Sequence, residues 1–157
     1  MKWTTADMEM YVQAKEYVDT AVVPLISINW HDKMKASVSA KEFIDLLMIE
    51  LERQFKGRIM IFPGFTYLSS EETATRTARL SNWTEQLQEG GMPHVFYVTC
   101  DSTWKQTEQD LDGNLVWMPS LTLEHVGEKA KLKMIQEQVE QMMPLFMTEW
   151  KKSQKDT

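Results

Sequence analysis

The chain has 157 residues, 43% of them apolar and 25% charged, and a net charge of −6. That is about the length of one domain, with enough apolar content for a real core, and residues 1–157 are read as a single domain. The acidic balance argues against a nucleic-acid surface, which needs a basic face, and no apolar run approaches the ~20 residues of a membrane span.

A single cysteine, Cys100, allows no intrachain disulfide and fits a reducing compartment. The opening Met1-Lys2-Trp3-Thr4-Thr5 lacks the apolar stretch of a signal peptide. The expected location is therefore cytoplasmic. Twelve methionines and six tryptophans stand out. Methionine fills irregular cores and also lines adaptable binding surfaces.

Thr4 or Thr5 is placed to cap a first helix, with Asp7 in its first turn where negative charge suits the helix dipole. Met8, Tyr11, Val12 and Val18 are its expected apolar face. Residues 21–28 form a short continuous apolar run, as expected of a strand covered on both faces. Pro24 cannot donate to a ladder, so it argues against the strand or for a place at an edge or strand start. A polar loop from Asn29 to about Ser37 follows.

Ser39 with Glu42 makes a capping-box pattern. Phe43, Ile44, Leu47, Met48, Leu51 and Phe55 then recur at helical spacing, and Gly57 sits where a helix-terminating glycine belongs. Residues 58–62 read as a second strand that stops at Pro63-Gly64, turns, and feeds a helix capped by Ser69 with Glu72. That helix has a thin stripe of Ala74, Thr77, Leu80 and Leu87 and stops at Gly90-Gly91. Residues 93–100 are a third strand, rich in β-branched and aromatic residues, and residues 115–118 a fourth. From about His125 to Lys152 the pattern is helical, with Pro144 expected to kink or split it.

Strands alternating with helices predict an α/β fold: a three-layer sandwich with a mainly parallel four-stranded sheet and helices on both faces. The third connection is short for a crossover, and Asp112-Gly113 is a hairpin signal. The fourth strand is therefore open to an antiparallel direction. The competing architecture is α+β with a hairpin near residues 103–121.

In a parallel sheet, ligands favour the crevice beyond the carboxyl ends of the strands. That rule selects His31, Asp101 and Cys100 as catalytic candidates. Thr66, Tyr67, Asn29 and Ser102 are candidate ligand contacts. His31 beside Asp32 offers a base and an orienting carboxylate, although an exposed loop histidine is the competing reading. Cys100 is a nucleophile only if a neighbour lowers its pKa; otherwise it is a buried, inert thiol. Position 106, where a phosphatase-type Cys would need its arginine, is Gln106. Arg76 and Arg79 could hold an anion or form a solvated face.

No Gly-x-Gly-x-x-Gly, Walker loop, Gly-x-Ser-x-Gly or His-Glu-x-x-His occurs. No cofactor is expected, and His94 and His125 lack partners at metal-ligand spacing. The last helix carries Met134, Met142, Met143, Phe146, Met147 and Trp150. It could dock on a partner protein, lie on a membrane surface or cover the sheet.

Two segments, Met1-Lys2-Trp3 running on to Gln13-Ala14-Lys15-Glu16-Tyr17-Val18-Asp19-Thr20, and Lys41-Glu42-Phe43-Ile44-Asp45-Leu46-Leu47 running on to Phe55-Lys56-Gly57-Arg58, resemble the YpiF-like proteins. These are an uncharacterised cytosolic family of spore-forming Gram-positive bacteria, and length and element order agree along the chain. The resemblance implies a bacterial cytosolic protein and brings no activity or catalytic residue with it. Two functions stay open: a non-enzymatic protein that binds another protein, and a small-molecule-binding domain or enzyme using the strand-end edge.

Overall fold

The computed structural model describes residues 1–155. Within them the order is α1 (Thr5–Gln13), β1 (Thr20–Ile28), α2 (Met34–Gln54), β2 (Ile59–Ile61), β3 (Phe65–Leu68), α3 (Thr73–Glu89), β4 (His94–Thr99), β5 (Asn114–Trp117) and α4 (Glu128–Lys155). Two 3-10 segments, Lys15–Tyr17 and Ser102–Asp110, join α1 to β1 and β4 to β5.

All strands are parallel, in the order β2-β1-β4-β5, with β3 also beside β1. β2 and β3 are two halves of one edge. Thr20 lies opposite Ile59, an offset of 39, whereas Leu25 lies opposite Phe65, an offset of 40. One extra residue therefore enters the edge between Ile61 and Phe65, as in a bulge.

The cause lies in β1. Phe62 N–H donates to the Val22 carbonyl at 2.9 Å, so Val22 turns its backbone toward this edge. Two residues on, Pro24 faces the same way and has no N–H to offer. The ladder breaks where the donor is missing. Pro24 thus sits within a central strand, not at an edge or strand start as the sequence suggested. The strand expected to end at Pro63-Gly64 resumes at Phe65.

Side chains alternate between two cores. On one face Val22, Phe96, Val98 and Val116 pack with Phe43, Leu47 and Leu51 of α2 and Ile135, Val139, Met142, Phe146 and Trp150 of α4. On the other, Val23, Leu25, Tyr67, Val95 and Tyr97 pack with Leu80 of α3 and with Trp104. This is a three-layer α/β sandwich. The chain runs from β1 outward to β2 and then back across to β4. Right-handed crossovers put α2 and α3 on opposite faces for that reason. The Phe96 and Phe146 rings stack at 4.0 Å between centroids, a contact worth ~1 kcal/mol beyond the area it buries.

Several local expectations are corrected. The fourth strand is parallel, Phe96 pairing with Asn114 through Thr99 with Trp117. The 3-10 segment makes the crossover, and no hairpin forms. Gly113 serves close approach instead: a Cβ there would lie 2.6 Å from the Tyr97 ring and 2.7 Å from the Val95 carbonyl.

Thr4 does cap α1, its Oγ1 accepting from Asp7 N–H at 3.1 Å. Val12 is exposed, while Val18 is fully buried just outside the helix. α2 begins at Met34, so Ser39 lies inside it. α3 begins at Thr73 with Glu72 as a cap that makes no side-chain bond. β3 uses up residues 65–68, which pushes that helix start past Ser69.

α4 runs unbroken through Pro144. Pro144 and Glu140, whose carbonyl loses its helical donor, are both exposed, so the freed carbonyl is open to solvent and is not left buried without a donor. The apolar stripe of α4 covers the sheet. No helix among the described residues is long and apolar enough to cross a membrane.

Candidate functional site

Strand order reverses between β1 and β4, and there the carboxyl ends of the two strands diverge. A crevice of about 400 Å3 opens at that point. Leu25, Ile26 and Ile44 form its apolar part, and Lys33, Lys41, Arg76 and Asp101 supply its charges. Pockets of this size and place hold small molecules in open α/β sheets.

A hydrogen-bonded cluster forms one wall. Trp104 Nε1–H donates to the Tyr67 hydroxyl at 2.7 Å, and that hydroxyl donates to Asp101 Oδ2 at 2.7 Å. Asp101 Oδ1 accepts from Thr103 N–H at 3.0 Å and Thr103 Oγ1–H at 2.6 Å. Arg76 Nη2 donates to Thr103 Oγ1 at 2.8 Å, and Nη1 reaches Asp101 Oδ2 at 3.5 Å. The Arg76 guanidinium lies over Trp104 at 4.2 Å and over Tyr67 at 5.1 Å.

The electrostatics follow. Burial raises the Asp101 carboxyl, but hydrogen bonds from Thr103 and Tyr67 and the charge of Arg76 outweigh it and leave the group below the usual carboxylate range. Burial, then the adjacent Asp101, pushes the Tyr67 phenol well above its ordinary value. Burial pushes the Cys100 thiol up to about 12. At neutral pH Cys100 is therefore a thiol, because burial disfavours the thiolate.

The structure brings Asn29, Cys100 and Asp101 to this crevice, and Tyr67 joins them through Asp101. Asn29 is occupied in shaping the entry to α2. Its Oδ1 accepts from His31 N–H at 3.0 Å and Lys33 N–H at 3.3 Å. Its own N–H donates to Ser37 Oγ at 3.2 Å. His31 and Ser102 are exposed and do not line the crevice. Thr66 faces away from it, into a groove beside α2. Among the described residues no three His, Cys, Asp or Glu side chains converge where a metal ion could be held.

A second concavity, of about 850 Å3, runs between α2 and the interrupted edge. Trp30, Met34, Val38, Ile49, Phe62 and Pro63 supply much of its apolar wall.

A family described as "Protein of unknown function (DUF2487)" matches residues 9–150. The chain belongs to the DUF2487 family. It is 35% identical over 150 residues, 96% of this chain and 98% of the relative, to a Bacillus subtilis (strain 168) protein described as "Uncharacterized protein YpiF". The resemblance to YpiF-like proteins read from the two segments is thereby borne out. No solved structure matches the chain.

In this DUF2487 chain the residue that sequence reasoning placed least well is Arg76. It is 3% exposed and packed on two aromatic rings, rather than part of a solvated face. The signal was available. Arg76, Leu80, Thr84 and Leu87 follow helical spacing, and Leu80 anchors the buried side. A stripe that starts from Ala74 and Thr77 instead places the arginine outside. Arg79 behaves differently. It pairs with Glu71 at 2.8 Å, and its Nη2 donates to the Thr66 carbonyl at 3.3 Å on the open edge of β3.

Proposed function

We propose that this chain is a non-enzymatic accessory protein that works by binding another protein, through the groove between α2 and the β2–β3 edge. One observation carries the reading. Trp30 is 80% exposed, Val38 54% and Ile49 58%, and they share one continuous groove. Contiguous exposed apolar surface on a folded chain marks an interaction site.

Met34, Val38, Asp45 and Ile49 recur at i, i+4, i+11 and i+15 on α2. They form a second stripe that flanks the one packed on the sheet, with Met48 shared between the two. From Met34 to Ile49 this stripe spans ~22 Å at 1.5 Å per residue. That length suits an amphipathic helix of about four turns laid along α2. Strand addition at β2 is disfavoured, because Ile61 N–H already donates to the Met1 carbonyl at 2.8 Å. The face assigned here belongs to α2 and not to α4, whose Ile135, Val139, Met142, Phe146 and Trp150 are spent on the core.

The test places a photo-crosslinking residue at position 38 in living cells. A crosslink to one other protein is expected. It should disappear in Trp30→Ala and be reproduced with the purified partner, whose contacting segment should be helical. A crosslink only to a second copy of the chain, or none above background, would overturn the reading.

A further inference from the structure

We infer that the crevice between β1 and β4 is an oxyanion site, taking the phosphate or carboxylate group of a small organic molecule. The inference rests on Arg76 and Asp101, which do not line the docking groove, although the two concavities adjoin at Ile26, Ser37 and Lys41.

Arg76 is the central observation. Its guanidinium carries five N–H donors, and the bonds to Thr103 and Asp101 use two of them. Nε is buried with no partner. An orphaned donor on a buried charge is costly, and native structures rarely keep one without use. Nor does pairing with Asp101 account for all of Arg76, whose charge is the smallest of the influences that lower that carboxyl. Both oxygens of that carboxylate already take shorter bonds from Thr103 and Tyr67, and the Arg76 contact, at 3.5 Å, is the longest of the set. Stacking on Trp104 and Tyr67 fixes the guanidinium against the crevice. Its unspent Nη hydrogens are therefore preorganised donors for a bidentate anion.

A second feature converges from the other wall. The first turn of α2 opens on the same crevice through Lys33, Ala36 and Ser37. It holds no acidic residue, and its cap, Lys33, makes no side-chain bond. The start of a 21-residue helix presents N–H groups and the positive end of its dipole. Lys33 has no ion pair among the described residues, while Lys41 is tied to Asp45. In a chain of net charge −6 this crevice gathers three cations against the single carboxylate of Asp101. Leu25, Ile26 and Ile44 leave room for an apolar body behind the anion.

The experiment is a 1H–15N NMR titration of the intact chain with sodium phosphate, and separately with sodium acetate, each against sodium chloride at equal ionic strength. A saturable shift of the Arg76 Nε–H signal and of the backbone amides of Met34, Lys35, Ala36 and Ser37 is expected. The anion that binds more tightly names the oxyanion class. Lys33→Glu, an exposed change that leaves the fold intact, should weaken binding about tenfold or more. Arg76→Lys, checked for folding by circular dichroism, should lose the bidentate mode. Absence of a saturable shift with either anion would overturn the proposal. So would shifts scattered over other lysines and unchanged in Lys33→Glu.

Discussion

The Tyr67 hydroxyl joins two residues that no local pattern connects: it accepts from the Trp104 indole and donates to Asp101, each at 2.7 Å. β3, the end of β4 and the 3-10 segment are tied together at that one atom. Tyr67→Phe removes both bonds and leaves the fully buried Trp104 with an unpaired N–H. A buried donor left without a partner costs about 1–3 kcal/mol. Denaturant unfolding should show a loss in that range with an unchanged slope. A change below the error of the measurement would mean that the pair contributes nothing.

Asp101 makes acid stability a test of the same cluster. Its folded-state pKa lies below the usual carboxylate value. Such a group contributes stability that is present above its unfolded pKa of about 3.9 and is lost as pH falls through the folded value. Wild type should therefore lose stability on acidification more steeply than Asp101→Asn, with the two curves converging at low pH. Parallel curves from pH 7 downward would contradict the depressed pKa.

Cys100 should resist thiol reagents. With the thiol pushed up to about 12 by burial, almost no thiolate exists at neutral pH. Reaction with a disulfide reagent should be slow in the folded protein and should accelerate in denaturant to the rate of an unstructured cysteine. A native rate matching the unfolded one would show an open, activated thiol and revive its candidacy as a nucleophile.

Gly113→Ala sets a new methyl against the Tyr97 ring and the Val95 carbonyl. The ring tilts at some expense, but the carbonyl belongs to β4 and cannot swing aside. Overpacking of this kind costs about 1–3 kcal/mol. It should also disturb the bond from Gly113 N–H to the Tyr97 hydroxyl, 3.1 Å long. Thermal unfolding of the variant measures both effects together, and an unchanged midpoint would rule out the clash.

Much of the architecture was readable from residues alone. The continuous apolar run of β1, the β-branched and aromatic run of β4 and the heptad-like stripe of α2 each declare their burial locally, because side-chain periodicity reports which face meets the core. The carboxyl ends of β1 and β4 followed from the alternation of strands and helices. That alternation is why Asn29, Cys100 and Asp101 share an edge.

The rest is non-local. The direction of β5 depends on which side of β4 it joins, and the short 101–113 connection was compatible with either direction until the 3-10 segment carried it across. Pro24 is acceptable in a central strand only because the neighbouring edge bulges where its N–H is missing, a match between residues some 40 positions apart. Arg76 is a helix-surface arginine by local chemistry. Burial becomes tolerable only when Trp104, Tyr67, Thr103 and Asp101 arrive from other elements to stack on it and accept its bonds. Periodicity determined which faces of this chain are apolar. Tertiary packing alone decided which polar group could be buried among them, because the cost of desolvating a charge is set by partners that only the fold brings near.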